Sequence, residues 1–230
     1  LEKNEQIRRD YMADISHELR TPLAILKGEL EALQDGVRKP TAETLNSLLF
    51  EVTNLTKLVN DLHQLSLSDR GSLTYRKDFI DINEVILLAV ASYRHTYQTK
   101  DIALYTELDD VSPLIVQADP DRLIQLFHNL LENSVRYTYA GGQLHIKTRK
   151  ENNCVLITLE DSAPGLDRLQ YQAVFQRFYR AESSRNRASG GSGLGLAICE
   201  NIVEAHNGKI SAMPSFFRWH ENSYRITRIF

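Results

Sequence analysis

The sequence predicts an α+β protein of two domains, a helical hairpin over residues 1–68 followed by a two-layer α/β sandwich over residues 72–230. Apolar residues recur every three or four positions through the first domain, which is the spacing of amphipathic helices. After the polar stretch from Ser68 to Ser72, where this pattern lapses, strand-like and helix-like segments alternate. Alternation of this kind favours helices packed on one face of a sheet.

The first domain contains two predicted helices. The first runs to about Gln34, and the second begins after Thr41, whose hydroxyl suits a helix N-cap. Apolar residues form a core-facing stripe along the first helix: Met12, Ile15, Leu19, Leu23, Leu26, Leu30 and Leu33. A similar seam lines the second helix: Leu45, Leu48, Val52, Leu55, Val59 and Leu62. Because one hairpin alone buries too little apolar surface, we expect two copies to pair into a dimeric four-helix bundle, which makes the protein a homodimer.

The second domain mixes both kinds of element. Alternating apolar residues predict strands near residues 102–107, 114–118, 143–149 and 154–160. Helical spacing predicts helices near residues 82–98, 120–137 and 194–206. Asp119 and Pro120 suit the N-cap and first turn of the middle helix.

Composition excludes some functions and sets the context for others. Lys and Arg total 27 against 30 Asp and Glu, a net charge of −3, so no basic field favours nucleic acid. Cys154 and Cys199 lack metal-binding spacing, and we expect reduced core thiols. No stretch approaches the roughly 18 apolar residues that a membrane helix needs. The charged, uncapped start of the first helix indicates a longer protein continuing upstream.

A histidine in the first helix has the surroundings of a reactive group. At about 100° per residue, His17 and Thr21 point away from the apolar stripe and share one face. A neutral imidazole can attack a phosphoryl group through one nitrogen if a base accepts the proton from the other, and Glu18 is placed to do so. The Thr21 hydroxyl is placed to orient a water for removing the phosphate.

Two further motifs suit a nucleotide. Asn129 and Asn133 lie four residues apart on the polar face of one helix, close to Arg136, where amide oxygens suit a hard cation. Asparagines on a helix are ordinarily solvated, so this pair alone does not define a site. Asp161 ends a strand, where its carboxylate can accept a hydrogen bond from an adenine amino group, and Gly165 lets the backbone approach the base.

A glycine-rich turn, residues 190–196, opens an apolar helix and presents free amides at its positive end. Its spacing fits neither GxGxxG nor GxxxxGK[ST], which disfavours dinucleotide and P-loop sites. The polar, basic segment before it, residues 174–190, has the character of a mobile lid. A solvated basic loop is the ordinary alternative.

Taken together, these motifs resemble those of sensor histidine kinases. MADISHELRTPLA resembles the family's H-box, HNLLENSVRYT its N-box, and GSGLGL its G2 box. DSAPG resembles the G1 box, usually DxGxG, with Ala163 in place of the first glycine, and Phe175 and Phe178 resemble the F-box. The boxes occur in the family's order between about residues 8 and 212. The resemblance implies a Bergerat (GHKL) ATP-binding fold for the second domain and protein-histidine kinase activity.

The resemblance also implies residue roles. His17 would accept phosphate from ATP, with Glu18 as acid/base partner and Thr21 as the phosphatase-linked position. Asn133, together with Asn129, would hold Mg²⁺. The nucleotide-binding residues would be Asn129, Asn133, Arg136, Tyr137, Asp161, Gly165, Arg180, Arg185, Gly191, Gly193, Leu194, Gly195 and Leu196. ATP and Mg²⁺ are the implied cofactors, an aspartate of a response regulator is the implied acceptor, and the chain would be the cytoplasmic domain of an inner-membrane sensor.

The resemblance stops near Met213. The family usually ends in a glycine-rich turn and an apolar strand, whereas this chain ends in PSFFRWHENSYRITRIF, so we expect an altered tail that packs poorly. Two other functions remain open at this stage. One is a dimeric scaffold that binds nucleotide without phosphate transfer, and the other is a clamp ATPase of the gyrase and Hsp90 type.

Overall fold

The computed structural model describes residues 2–109, 113–152, 154–180, 191–214 and 222–229, of which residues 2–10, 168 and 222–229 are described by backbone alone. The chain divides into two compact units, residues 1–67 and residues 68–230. The first unit is helical and the second is an α/β unit, so the predicted fold class is confirmed.

The first unit consists of α1 (Glu2–Gln34) and most of α2 (Ala42–Asp69). Gly36, at φ +71°, adopts the left-handed backbone that ends α1. The Arg38 N–H then donates to the Ala32 carbonyl at 2.9 Å, and the Arg38 guanidinium pairs with Glu29. Thr41 accepts the Thr44 N–H at 3.2 Å, which is the predicted N-cap of α2.

The apolar stripes of the first unit are only partly covered. Ile15, Leu19, Leu26 and Leu33 are half-buried, but Met12, Leu23 and Leu30 remain 56%, 51% and 55% exposed. On α2, every second seam residue is likewise exposed: Leu45, Val52 and Val59. A single chain therefore leaves part of each stripe uncovered, as expected for a hairpin that pairs with a second copy.

The second unit contains eleven described elements. Its helices are α3 (Ile82–Thr99), α4 (Pro120–Tyr137), α5 (Arg168–Ala173) and α6 (Gly195–Ala205). Its strands are β1 (Asp78–Asp81), β2 (Ala103–Glu107), β3 (Ile115–Ala118), β4 (Gln143–Glu151), β5 (Cys154–Asp161), β6 (Lys209–Pro214) and β7 (Asn222–Ile229). Each predicted strand and helix of this unit is present, whereas α5, β1, β6 and β7 had no clear periodic signal.

Five strands form the main sheet, in the order β2-β4-β5-β7-β6. β2 pairs with β4 in parallel, and the other neighbouring pairs are antiparallel. β1 and β3 form a separate antiparallel pair. α4 packs between α3 and α6, and its apolar face is at most 1% exposed: Leu123, Leu126, Phe127, Leu130 and Leu131. The same helix carries the candidate polar residues Asn129, Asn133 and Arg136.

The C-terminal tail corrects one expectation. Residues 222–229 form β7, which pairs antiparallel with β5 on one side and β6 on the other. An internal strand has its backbone groups paired on both edges, so this part of the tail is integral to the sheet and the expectation of poor packing is wrong. Residues 215–221 lie outside the described part of the chain.

Two other sequence-based expectations concern thiols and membrane helices. Neither Cys154 nor Cys199 forms a disulfide, and Cys199 is buried, as expected for reduced thiols. Within the described residues, no helix combines the length and the apolar character that crossing a membrane requires.

Candidate functional site

His17 lies on the exposed side of α1, in the middle of the helix. Thr21, one turn later, is also exposed, and its hydroxyl donates to the His17 carbonyl at 3.4 Å. Glu18 is half-buried beside them. The structure therefore places the imidazole and the threonine on one accessible surface, where a phosphoryl donor can reach the ring.

α4 positions the polar residues of the predicted nucleotide site. Asn129, Asn133, Arg136 and Tyr137 are all half-buried, in contrast to the fully buried apolar residues of the same helix. The Asn129 amide nitrogen donates to the Gly195 carbonyl at 3.4 Å, which leaves its amide oxygen as the group available to a cation. Asparagine oxygens of this kind fit Mg²⁺, a hard cation with oxygen ligands.

The glycine-rich turn touches this face of α4 at two points. A Cβ placed on Gly191 would meet a guanidinium nitrogen of Arg136, so a side chain there would displace the end of this arginine. A Cβ on Gly195 would lie 3.8 Å from the Asn129 side chain, which is ordinary contact. Residues predicted from two separate motifs thus form one surface.

A third contact links the glycine-rich turn to the F-box. Gly193 has φ +68°, and a Cβ there would lie 2.8 Å from the backbone of Phe178. Phe178 itself has φ +60°, an uncommon conformation for an aromatic residue, and its N–H donates to the Gly193 carbonyl at 3.0 Å. Sequence reasoning gave Phe178 no structural role beyond its resemblance to the F-box.

The start of α6 has no hydrogen bond from an N-cap side chain. Leu194 is fully buried and occupies the N-cap position, but its apolar side chain offers no hydrogen bond to the first amides of the helix. Gly195 and Leu196 begin the helix directly after it. Amides left without a side-chain cap at the positive end of a helix suit phosphate oxygens.

Asp161 is placed at the end of β5 and is only 3% exposed. Its carboxylate accepts the Ala163 N–H at 3.3 Å, so alanine at this position is accommodated without a positive φ. Ser162 holds the turn to β4 through two hydrogen bonds with Gln143, of 2.8 and 3.0 Å. A Cβ on Gly142 would lie 2.6 Å from the Ser162 hydroxyl oxygen, a close approach that sequence analysis missed.

The remaining predicted nucleotide-binding residues are Gly165, Arg180 and Arg185. Gly165 is exposed beyond the Asp161 turn, and Arg180 is half-buried after the F-box. Arg185 lies outside the described residues. Arg177 binds Asp69 with both guanidinium nitrogens, one at 2.8 Å, and this arginine lowers the pKa of the Asp69 carboxyl.

A buried histidine, to which sequence analysis assigned no role, fixes the start of α4. The Asp119 N–H donates to Nε2 of His206 at 3.0 Å, so Nε2 is unprotonated and Nδ1 donates to the Ile202 carbonyl at 2.7 Å. Asp119 in turn caps α4 by accepting the Arg122 N–H at 3.1 Å. Burial, the largest cause, lowers the pKa of His206 and keeps the ring neutral.

Family models match both units. Residues 7–71 match the His Kinase A (phospho-acceptor) domain. Residues 118–227 match the histidine kinase-, DNA gyrase B-, and HSP90-like ATPase domain. With a phospho-acceptor domain followed by this ATPase domain, the chain belongs to the histidine kinases. The second match includes most of β7, in agreement with its place in the sheet.

Individual relatives support this assignment. The chain is similar to the signal transduction histidine-protein kinase BaeS of Escherichia coli (strain K12), with 58% identity over 94% of this chain and 46% of BaeS. It is 36% identical to the sensor protein kinase WalK of Staphylococcus aureus (strain MRSA252), over 90% of this chain and 34% of WalK. The chain therefore spans less than half the length of these relatives.

Solved structures share the fold. The histidine kinase AdeS of Acinetobacter baumannii superposes with a TM-score of 0.76 at 27% identity, covering 92% of this chain and 98% of AdeS. Histidine kinase ThkA, solved in complex with response regulator protein TrrA, gives a TM-score of 0.75 at 20% identity, covering 99% of this chain and 64% of ThkA.

Proposed function

We propose that this chain is the cytoplasmic kinase portion of an inner-membrane sensor, which uses Mg-ATP to phosphorylate its own His17 and passes the phosphate to an aspartate of a response regulator. The observation that carries the proposal is an exposed histidine on α1, inside a matched phospho-acceptor domain, on a chain that also carries a matched ATPase domain.

In the proposed reaction, a ring nitrogen of His17 attacks the γ-phosphorus of ATP. A P–N bond forms, the P–O bond to the β-phosphate breaks, and ADP leaves. The proton on the other ring nitrogen passes to Glu18. In a separate hydrolysis, Thr21 would orient a water that attacks the phosphorus, so that a P–O bond forms, the P–N bond to His17 breaks and inorganic phosphate leaves, which gives a phosphatase activity.

The nucleotide would bind along the surface formed by α4, the Asp161 turn and the start of α6. The buried Asp161 carboxylate is suited to accept the adenine amino group, and the uncapped amides of α6 are suited to the phosphates. Asn133 and Asn129 would hold Mg²⁺, which offsets charge on the transferring phosphoryl group. Arg136, Arg180 and Arg185 are the proposed cationic phosphate contacts.

A homodimer is supported by the exposed apolar residues of the first unit. Leu45, Val52 and Val59 lie seven residues apart on α2 and are 53%, 47% and 49% exposed. Leu23 and Leu30 repeat the same spacing on α1. A seven-residue apolar repeat is the pattern that a second pair of helices covers in a four-helix bundle.

A response regulator as partner is supported by the fold shared with ThkA, whose structure was solved with a response regulator protein. Attachment to a membrane through further segments is supported by the curated relatives, which are sensor kinases more than twice as long as the matched region.

Incubation with γ-labelled ATP tests the central claim. We expect an acid-labile, base-stable phosphoprotein whose label is lost in His17→Gln and retained in His63→Gln, a control at another exposed histidine of the same unit. Undiminished labelling of His17→Gln would contradict the assignment. Nucleotide binding without labelling would favour the scaffold alternative, and steady phosphate release that is unaffected by His17→Gln would favour a clamp ATPase.

A further inference from the structure

Glu132 lies one helical turn before Arg136 on α4, between the two asparagines of the predicted site. Its carboxylate accepts a hydrogen bond from Arg136 at 2.7 Å, and the two side chains are 33% and 24% exposed. An acidic residue four positions before a basic one is the more favourable order on a helix. The pair is therefore a local, partly shielded contact that can hold the arginine in one orientation.

In this orientation, the Arg136 guanidinium faces the glycine-rich turn. The Arg136 guanidinium lies against Gly191, where a Cβ on this residue would meet one of its terminal nitrogens. Gly191 precedes the uncapped start of α6 by a few residues. Glu132 thus binds Nη2 of the guanidinium, while Nη1 lies beside Gly191 of the glycine-rich turn.

The Glu132–Arg136 pair has a neighbour on α3. Tyr93 of α3 lies close enough for the Glu132 charge to act on its hydroxyl, and its ring packs edge-on against His128 at 5.4 Å. Burial, the largest cause, raises the pKa of Tyr93 to about 12; the charge of Glu132 raises it further and that of Arg136 lowers it, and the phenol stays neutral. A neutral, partly buried neighbour screens the pair less than water does.

We infer that Glu132 is a positioning residue that presets Arg136 for contact with the nucleotide phosphates. A free arginine loses side-chain freedom when it binds a ligand, and an arginine already held against Gly191 loses less. The inference rests on the proposed function, because it takes the ligand of this surface to be a nucleotide.

The test compares ATP with adenosine, which has the same base but no phosphate, by titration calorimetry on the whole chain. We expect Glu132→Ala to weaken ATP binding by about three- to tenfold, the effect of immobilising one long side chain on binding. Adenosine binding should stay unchanged, because Arg136 does not reach the base in this scheme. Glu132→Gln, which keeps an acceptor oxygen, should recover part of the loss, and Glu84→Ala on the exposed side of α3 should match wild type.

A double-mutant cycle completes the test. In an Arg136→Ala background, Glu132→Ala should have no further effect on ATP binding, because the residue it positions is gone. Equal or tighter ATP binding by Glu132→Ala would overturn the inference, as would an equal loss for adenosine or an undiminished effect in the Arg136→Ala background. If wild type binds ATP in this pattern but does not label His17, the proposed kinase function fails while the role of Glu132 stands.

Discussion

Replacing His206 with alanine is predicted to loosen the start of α4. The imidazole is fully buried between the Asp119 N–H, at 3.0 Å from Nε2, and the Ile202 carbonyl, at 2.7 Å from Nδ1. Alanine removes both hydrogen bonds, leaves the Asp119 amide without its acceptor and opens a cavity. Because Asp119 caps α4, the damage falls on the helix that carries the nucleotide-site residues.

The expected cost follows from these contacts. Large-to-small substitutions in a core cost about 2–5 kcal/mol of unfolding free energy. About 1–3 kcal/mol of that loss is expected from the buried Asp119 donor that has lost its acceptor. His95→Ala, the same chemical change at an exposed position of α3, should cost less than about 0.5 kcal/mol.

The same histidine should make stability depend on pH. The pKa of His206 in the folded chain is below its usual value of 6.5, so below that pH the unfolded chain binds the proton more readily than the folded one. The His206 contribution to stability is therefore full above about pH 7.5 and falls as the pH drops below about 6.5. His206→Ala should lack this component.

Urea denaturation followed by circular dichroism at pH 7.5 and 5.5 measures both effects. Since the two units can unfold in separate transitions, hydrogen exchange of the α4 amides should also be measured, because it reports on the stability of this helix. The reasoning would be refuted if His206→Ala were as stable as His95→Ala, or if its loss of stability between the two pH values equalled that of wild type.

Two further predictions concern the nucleotide surface. Gly193→Ala should lose about 1–2 kcal/mol of unfolding free energy from the left-handed backbone alone, and more from the 2.8 Å approach to Phe178, as measured by urea denaturation. Asp161→Asn keeps the shape of the buried side chain but removes its charge, so ATP and adenosine should both bind about 10- to 100-fold more weakly by calorimetry.

Controls separate these effects from general damage. Gly28→Ala in α1 meets no atom within 4 Å and needs no positive φ, so it should stabilise the first unit by about 0.5–1 kcal/mol. If Gly193→Ala were as stable as wild type, the contact with Phe178 would be refuted. If Asp161→Asn bound both ligands normally, the carboxylate would not be the adenine acceptor.

Local patterns were sufficient wherever a residue's environment depends on near neighbours. The apolar spacing of α4 predicted the buried face from Leu123 to Leu131, and Asp119 was recognised as its N-cap. Helical geometry put His17 and Thr21 on one face of α1, where the structure has them. Each of these features depends on residues a few positions apart in the chain, so the sequence alone is sufficient to predict it.

Other features were missed because they depend on residues far apart in the chain. β7 carries charged and polar residues and departs from the expected terminal motif, yet it pairs with β5 and β6 inside the sheet. The stripes on α1 and α2 were predicted to be covered in a dimer, and a single chain leaves Leu23 and Val52 about half exposed. Spacing alone does not tell which copy of the chain covers an apolar residue.

The sequence alone determined the order of the five long helices and of four strands, an outward-facing His17, a capped α4 and a glycine-rich start to α6. The tertiary structure decided that Arg136 fills the space beside Gly191, that Phe178 meets Gly193 and that His206 accepts the Asp119 amide. Each of these contacts joins residues from separate elements. Such long-range contacts form only when the elements pack together, so no local sequence pattern predicts them.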